Sequence, residues 1–127
     1  MKYMLDTNIC IYLIKKQPPK IVEKFEQYRK GEVVISSITW AELCCGIKKD
    51  GKKVVEDLLN ILKVENFGIE QGLMYGKLTE LLSNRKANLD RMIAAHALSL
   101  GITLVTNNTS DFEVYKSAGL KLENWIE

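Results

Sequence analysis

The sequence predicts an α/β fold of three layers, α/β/α, in which helices cover both faces of a central and mainly parallel sheet. Short apolar or β-branched runs alternate with helical patterns along the chain, which is typical of parallel strands joined by helices. The chain has 127 residues, the size of one ordinary domain, and its 46% hydrophobic and 27% charged residues form a globular composition. We therefore expect residues 1–127 to form a single domain.

The five predicted strands are short runs bounded by turn residues. The first run is apolar throughout, and the second follows Gly31 and is rich in β-branched residues. The others are separated by helical patterns long enough to cross over between parallel strands. In chain order, the predicted strands are 3–5, 32–36, 64–67, 102–106 and 120–123.

The predicted helices have apolar residues at spacings of three and four. They cover 9–16, 20–30, 39–49, 54–62, 70–83 and 89–100, with a short helix starting in 107–112. The last long helix is rich in alanine, which permits close packing, and Gly101 is expected to end it as a cap. Residues expected to pack are Trp40, Leu43, Cys44, Ile47, Val54, Leu58, Leu59, Leu62, Leu73, Met74, Leu78, Leu81 and Leu82.

Cysteine content and hydropathy exclude several classes of protein. The chain has three cysteines, of which Cys44 and Cys45 are adjacent, and no CxxC pair. We expect Cys10, Cys44 and Cys45 to be reduced thiols packed as small hydrophobic residues. No apolar run approaches the roughly 20 residues that span a bilayer. The N-terminus lacks the pattern of a secretory signal, so we expect a cytoplasmic protein.

Four acids stand where the strands of a parallel sheet end. Asp6 ends the first strand, and Glu42 lies in the helix after the second. Asp90 begins the helix before the fourth strand, and Asp111 follows that strand. Ligands of such sheets bind outside the carboxyl ends of the strands. Crowded carboxylates raise each other's pKa unless a cation neutralises them, and their hard oxygen atoms select Mg²⁺ or Mn²⁺.

The overall charge agrees with a polyanionic ligand if the four acids do bind metal. The chain has 18 basic and 16 acidic residues, which leaves 18 against 12 outside such a site. The candidate phosphate contacts are Lys48, Lys49, Lys52, Lys53, Arg85 and Lys86. These residues could equally belong to solvated loops, because a basic run does not by itself identify a ligand.

Each candidate also has a purely structural explanation. Asp6 or Asn8 could cap the helix that follows, and periodicity places Glu42 on the solvent side of its helix. Asn8, Thr106 and Asn107 could orient carboxylates or metal-bound water, or could serve only in turns.

His96 is the only histidine and lies six residues past Asp90, on another side of the same helix. We expect it to be packed and hydrogen-bonded. A ribonuclease that uses two histidines as acid and base is excluded.

The motifs, taken in order, match a known family. They are Met4-Leu5-Asp6-Thr7-Asn8, Ser36-Ser37-Ile38-Thr39 with Ala41-Glu42-Leu43, Asp90 with Ile93-Ala94-Ala95-His96-Ala97, and Leu104-Val105-Thr106-Asn107-Asn108 with Asp111-Phe112. Together they resemble the PIN domain and, more narrowly, the VapC-type toxins of bacterial toxin–antitoxin pairs. The resemblance implies a Mg²⁺-dependent endoribonuclease with a three-layer fold. It assigns the acidic site to Asp6, Glu42, Asp90 and Asp111, with Asp6 and Asp90 as the principal metal ligands.

The resemblance also implies partners and a substrate. It implies a VapB-type antitoxin that inserts a peptide into the acidic groove, a homodimer, and contact with DNA only through the antitoxin. Close relatives cleave tRNA, several of them the initiator tRNA in its anticodon stem-loop. Helices 20–30 and 54–62 are candidates for a protein interface.

Three other functions are considered, and the residues disfavour two of them. The loop 84–88 lacks the glycine that relatives usually carry before the third acid. The main alternative is therefore a PIN-like protein that docks an antitoxin without catalysing a reaction. A phosphorylatable receiver needs two adjacent acids after the first strand, but Thr7 follows Asp6. An aspartyl phosphatase needs a second aspartate where Asn8 stands.

Overall fold

Five strands form a parallel sheet in the computed structural model, which describes residues 1–46, 51–83, 86 and 88–127. The strands are β1 Tyr3–Leu5, β2 Val33–Ser36, β3 Lys63–Glu65, β4 Thr103–Val105 and β5 Leu122–Glu123. Their order in the sheet is β3-β2-β1-β4-β5, and each of these pairings is parallel. The predicted α/β class is confirmed.

Helices lie on both faces of this sheet. They are α1 Thr7–Lys15, α2 Pro19–Phe25, α3 Ser37–Cys45, α4 Lys52–Leu58, α5 Ile69–Leu81, α6 Leu89–Leu100 and α7 Thr109–Phe112, followed by a 3₁₀ helix, Glu113–Ala118. The bounds of α6 agree with the prediction. Gly101 caps it in the left-handed region at φ 68°, where a glycine avoids the Cβ clash.

Two apolar cores, one on each face, explain why the central strands β1, β2 and β4 are largely buried. Successive strand residues point to opposite faces, so Leu5 packs beneath α1, α2 and α4 while Met4 packs beneath α5 and α6. The helix α6 contributes a buried run of small residues to the second core. This double cover gives the three layers of the predicted fold.

The register of the central strands places three chain segments side by side at one edge of the sheet. β1 lies between β2 and β4, and Leu5 pairs with Val105. The next residue of each strand, Asp6 and Thr106, therefore leaves the sheet at the same level. Ser36 ends β2 at this edge and begins α3 as its N-cap.

The helices α1 to α5 differ from their predicted bounds by one to five residues. α2 ends at Phe25 rather than residue 30, because 26–28 turn back into local hydrogen bonds with the last turn. α3 begins at Ser37 rather than 39, because the Ser36 hydroxyl caps it by accepting from the Ile38 N–H. The predicted end of α3 at 47–49 lies outside the described residues. α4 ends at Leu58 instead of 62.

Several residues predicted to pack are exposed instead. Leu73 and Leu81 of α5 are 66% and 70% exposed, whereas Met74 and Leu82 are packed against the core. Adjacent residues of a helix point 100° apart, so only one leucine or methionine of each neighbouring pair can face α6. Val54 and Leu59 are exposed at α4 as well.

The cysteine prediction holds for one residue of three. Cys10 is buried in the first core, while Cys44 and Cys45 are exposed and free. The packing prediction was wrong for these two because α3 turns Thr39 and Leu43 inward, which leaves Cys44 and Cys45 on its solvent side. Among the described residues, no helix is long and apolar enough to cross a membrane.

Candidate active site

Asp6 is held at the carboxyl end of β1 by two hydrogen bonds. Its Oδ1 accepts from the Ile9 N–H at 2.9 Å, which makes Asp6 the N-cap of α1. Its Oδ2 accepts from the Thr106 hydroxyl at 2.5 Å. The side chain is only 4% exposed. Asp6 therefore does fill the capping role, and the capping fixes the direction of its carboxylate.

Thr106 connects Asp6 to the segment that follows β4. Its hydroxyl donates to Asp6 and accepts from the Asn108 N–H at 3.0 Å, and its side chain is buried. Because each hydrogen bond uses a different part of the hydroxyl group, Thr106 can hold one orientation. Thr106 therefore orients Asp6, although the two residues are 100 positions apart in the sequence.

Glu42 is partly buried, so the solvent-side placement from periodicity was wrong. The Thr7 hydroxyl, at the first position of α1, donates to Glu42 Oε1 at 2.8 Å. α1 packs against α3, and a helical period cannot reveal a neighbour that comes from another part of the chain. Thr7 is a site residue that the sequence analysis missed. Its position between Asp6 and Asn8, beside the first acid, was the available signal.

Three of the four predicted acids line one small cavity of about 130 Å³. The residues around it are Asp6, Thr7, Asn8, Glu42, Asp90, Ile93, Asn108 and Phe112. Asp90 reaches it from the second position of α6, a helix that Asn88 caps by accepting from the Arg91 N–H at 3.0 Å. Each of the three acids in this cavity is therefore positioned by a different helix: Asp6 by α1, Glu42 by α3 and Asp90 by α6.

The fourth acid lies on a wider neighbouring cavity of about 650 Å³, lined by Asn88, Asp90, Ser110, Asp111, Glu113 and Val114. Asp90 borders both cavities, whereas Asp111 is exposed on α7. We call the series Asp6, Glu42, Asp90 and Asp111 the acidic rim. It runs from a buried end at Asp6 to an open end at Asp111.

Burial and mutual repulsion act on this rim. Burial raises the pKa of Asp6, and the charges of Asp90 and Glu42 raise it further, against the lowering effect of its hydrogen bonds from Thr106 and Ile9. Burial also raises the pKa of Asp90, together with the charges of Asp111 and Glu42. Ionisation of these buried, mutually repelling carboxylates is therefore unfavourable, and a bound cation would offset the repulsion.

The donor set fits a divalent cation of the Mg²⁺ type. Within the described ranges, no three acidic, histidine or cysteine side chains form a ready-made metal cage. Mg²⁺ is reluctant to lose its waters and is usually bound by one or two carboxylates plus waters and substrate phosphates, so an open rim suits it. Each carboxylate oxygen of Asp6 keeps a lone pair beyond its hydrogen bond.

The two asparagines after Thr106 have different surroundings. The Asn107 amide donates to the Tyr12 hydroxyl at 3.2 Å and does not line the small cavity. Asn108, which the sequence analysis did not select, lines the cavity in its place. Asn8 is exposed at the cavity mouth. The tandem asparagines were a signal for this segment, but they could not tell which one faces inward.

The predicted phosphate contacts are only partly described. Lys52 and Lys53 are exposed at the start of α4, where Lys53 pairs with Asp57 at 3.6 Å, and Lys86 is exposed before α6. Lys48, Lys49 and Arg85 lie outside the described residues. His96 is buried, with its Nδ1 2.8 Å from Ser36 Oγ, as the packed interpretation predicted.

A parallel sheet with an acidic rim at its carboxyl edge defines the class of PIN-domain proteins, and the PIN domain profile matches residues 3–117. Full-length relatives narrow this class. The chain is 39% identical to Ribonuclease VapC2 of Haemophilus influenzae over 99% of both chains. It is 35% identical to the tRNA(fMet)-specific endonuclease VapC of Shigella flexneri over 98% of both. The chain belongs to the VapC family of PIN-domain ribonucleases.

Solved structures agree with this placement. The VapC fold in DNA-bound VapBC from Salmonella typhimurium superposes with a TM-score of 0.88, at 35% identity over 98% of both chains. The structure of VapBC2 from Rickettsia felis, bound to a fragment of its promoter DNA, superposes with a TM-score of 0.85, at 35% identity over 98% of this chain and 99% of that one.

Proposed function

We propose that this chain is the toxin of a type II toxin–antitoxin pair and acts as a metal-dependent endoribonuclease. The observation that carries the proposal is the acidic rim, in which Asp6, Glu42 and Asp90 line one cavity and Asp111 continues it. The alternative, a binding protein without catalysis, rested on the loop 84–88. An intact set of four acids favours catalysis, since a protein that only docks a partner would not need to keep them crowded together.

In the proposed mechanism, Asp6 and Asp90 hold Mg²⁺, with Mn²⁺ as a substitute, and Glu42 and Asp111 complete the set. The bound ion would act as a Lewis acid and would lower the pKa of its bound water, which favours water as the nucleophile. Thr106 and the Ile9 N–H fix Asp6, and Thr7 fixes Glu42, so these carboxylates need little reorganisation when a phosphodiester arrives. Asn8 and Asn108 line the cavity that the phosphodiester would enter, and Asn107, bonded to Tyr12, would hold the segment that carries Asn108.

We propose tRNA as the substrate, and the anticodon stem-loop of initiator tRNA as the specific target. The support comes from two relatives, the tRNA(fMet)-specific endonucleases VapC of Shigella flexneri and Salmonella typhimurium, each 35% identical to this chain. The wide cavity beside Asp90 and Asp111 gives a polynucleotide backbone access to the rim. Lys48, Lys49, Lys52, Lys53, Arg85 and Lys86 are the proposed backbone contacts.

The proposed partner is a VapB-type antitoxin, with promoter DNA reached through it. Solved relatives of this chain are VapBC complexes on DNA. Two adjoining apolar cavities of about 440 and 300 Å³ share Leu13, Lys16 and Ile61 and lie between α1, α2 and α4. We assign this groove to an apolar antitoxin helix, whose tail would extend to the acidic rim. Residues 1–127 would act as one PIN domain, as a homodimer in the cytoplasm.

Cleavage of total bacterial tRNA by the purified chain tests the proposal. Discrete fragments should appear with Mg²⁺ or Mn²⁺ and disappear with a chelator. Water as nucleophile leaves a 5′-phosphate and a 3′-hydroxyl, whereas 2′,3′-cyclic phosphate ends would contradict the mechanism. If the wild-type chain binds an antitoxin but cuts no RNA with either metal, the binding-protein alternative replaces the enzyme.

A further inference from the structure

A buried hydrogen bond joins α3 to α6 outside the acidic rim. Ser36 and His96 are both 0% exposed, and His96 Nδ1 lies 2.8 Å from Ser36 Oγ. Phe67 packs against this pair, with its ring edge-on to the imidazole at 5.7 Å between the ring centroids. Ser36 and His96 do not line the small cavity of the acidic rim. A polar pair in such a place is costly unless it is well satisfied, so it calls for an explanation.

The surrounding bonds indicate where the proton of this pair lies. Ser36 Oγ already accepts from the Ile38 N–H at 3.0 Å, so its own hydrogen is available for His96 Nδ1. This arrangement requires a neutral imidazole protonated at Nε2. Burial lowers the pKa of His96, against a raising effect of Glu65, and so favours the neutral ring. The opposite tautomer would make Ser36 Oγ accept from both His96 and Ile38, and in either tautomer the buried Nε2 of His96 has no hydrogen-bond partner among the described residues.

The bonded residues Ser36 and His96 lie at similar distances along their helices from two of the proposed metal-binding acids. α3 runs away from Ser36 to Glu42, and α6 runs from Asp90 down to His96, with six residues in each case. At 1.5 Å per residue, each acid is about 9 Å along its helix from the bonded pair. α3 packs on α6, and Glu42 and Asp90 meet across the same cavity. The start of α3 therefore contacts the middle of α6 through Ser36 and His96, and Glu42, further along α3, shares the cavity with Asp90 at the start of α6.

We propose that His96 is a positioning residue whose hydrogen bond to Ser36 sets the spacing between Glu42 and Asp90, and thereby the affinity of the rim for its divalent cation. The inference rests on the proposed function. His96 acts through the placement of two helices, because it lies on a different side of α6 from Asp90. A misplacement of about 1 Å at a reacting centre can cost about a hundredfold in rate, so a fixed helix pair has functional value.

Binding of Mn²⁺ alone, measured by the EPR signal of the free ion in the absence of RNA, tests the proposal. His96→Leu fills the space without an acceptor and should raise the Kd for Mn²⁺ about tenfold, the lower end of the range for groups that orient ligands. His96→Asn keeps an acceptor oxygen near the place of Nδ1 and should stay within about threefold of wild type. Leu120→Ala, a buried residue of the same core, is the control for lost packing. It should lower the Tm and leave the Kd unchanged.

If His96→Leu does not fold, Ser36→Ala is compared with Leu120→Ala instead, and it should show the same loss of Mn²⁺ affinity. Equal Kd values for the Ser36 or His96 variants and the control would overturn the inference. Wild-type protein that binds no Mn²⁺ and cuts no RNA would overturn the proposed function itself.

The single histidine gives a second readout, because an imidazole ¹⁵N spectrum then contains one residue. It should show a protonated Nε2 and an acceptor Nδ1 at neutral pH. A ring protonated at Nδ1 would overturn the proposed hydrogen bond.

Discussion

The two ends of the acidic rim differ in how their carboxylates are held. At the buried end, Asp6 receives two hydrogen bonds and Glu42 receives one from Thr7. At the open end, Asp111 is exposed on a short helix beside a cavity about five times larger. A nuclease needs both rigid charges at the reacting group and an open approach for a long substrate. The buried end of the rim meets the first requirement, and the open end meets the second. Substitutions at the buried end should therefore affect cleavage more.

The largest effect is expected for Asp6→Asn. The variant keeps the size of the side chain and can still cap α1, but it removes the most enclosed charge of the rim. We expect a loss of about a thousandfold or more in kcat for tRNA cleavage, measured under saturating Mg²⁺. Asp57→Asn is the matched control, an exposed aspartate of α4 paired with Lys53, and should stay near wild type. Equal activity of the two variants would remove Asp6 from the site.

Thr106→Val is expected to cost about ten- to a hundredfold in activity. Valine matches threonine in shape, so the buried space stays filled while Asp6 Oδ2 loses its donor. Thr103→Val is the control for the same exchange, because Thr103 begins β4, the strand that Thr106 directly follows. The measurement is kcat at several Mg²⁺ concentrations. A Thr106 variant as active as its control would show that Asp6 does not depend on this bond.

Asp111→Asn tests the open end and should cost about tenfold or less. The side chain is exposed, and water screens its charge more than that of Asp6. The same tRNA assay applies, at low and at high salt, because an exposed charge should lose importance as salt rises. A loss as large as that of Asp6→Asn would abolish the distinction between the two ends.

The smallest effect is on the stability of the metal-free protein. Asp90 has a raised pKa in the folded chain, so its ionised form is disfavoured there and stability falls as pH rises above the ordinary carboxyl pKa. Asp90→Asn cannot ionise and should be more stable than wild type by about 0.5–1 kcal/mol at neutral pH, a modest gain because the group is half-exposed. Urea unfolding with a chelator measures this. The gain should disappear in acid, where the wild-type carboxyl is protonated, and a gain that persists there would refute the electrostatic cause.

Local patterns predicted the parts of the fold that depend on neighbours in sequence. The strand 3–5, the helix 89–100 and the Gly101 cap were all correct, since each is determined by a few adjacent residues. The burial of Glu42 was not predictable, because it depends on Thr7 from a helix 35 residues earlier. Leu73 and Leu81 were misplaced for the same reason, since the position of α6 decides which side of α5 is covered.

The four acids of the rim were selected from the sequence because parallel topology brings strand ends together. What the sequence could not supply was their immediate support. Thr7 reaches Glu42 only once α1 packs on α3, and Asn108 reaches the cavity only once the end of β4 lies beside β1. For the same reason, the sequence could not tell Asn107, which bonds Tyr12, from Asn108, which faces the cavity.

The central place of β1 has a consequence for the synthesis of this chain. Asp6 is translated 100 residues before Thr106, the residue that orients it, and β1 cannot gain β4 as its neighbour until that later segment has left the ribosome. Pairings so distant in sequence form slowly and late. We expect a nascent or prematurely terminated chain that lacks β4 to be harmless to the RNA around it. The cell would thus have the time of nearly a whole round of translation before this toxin can act.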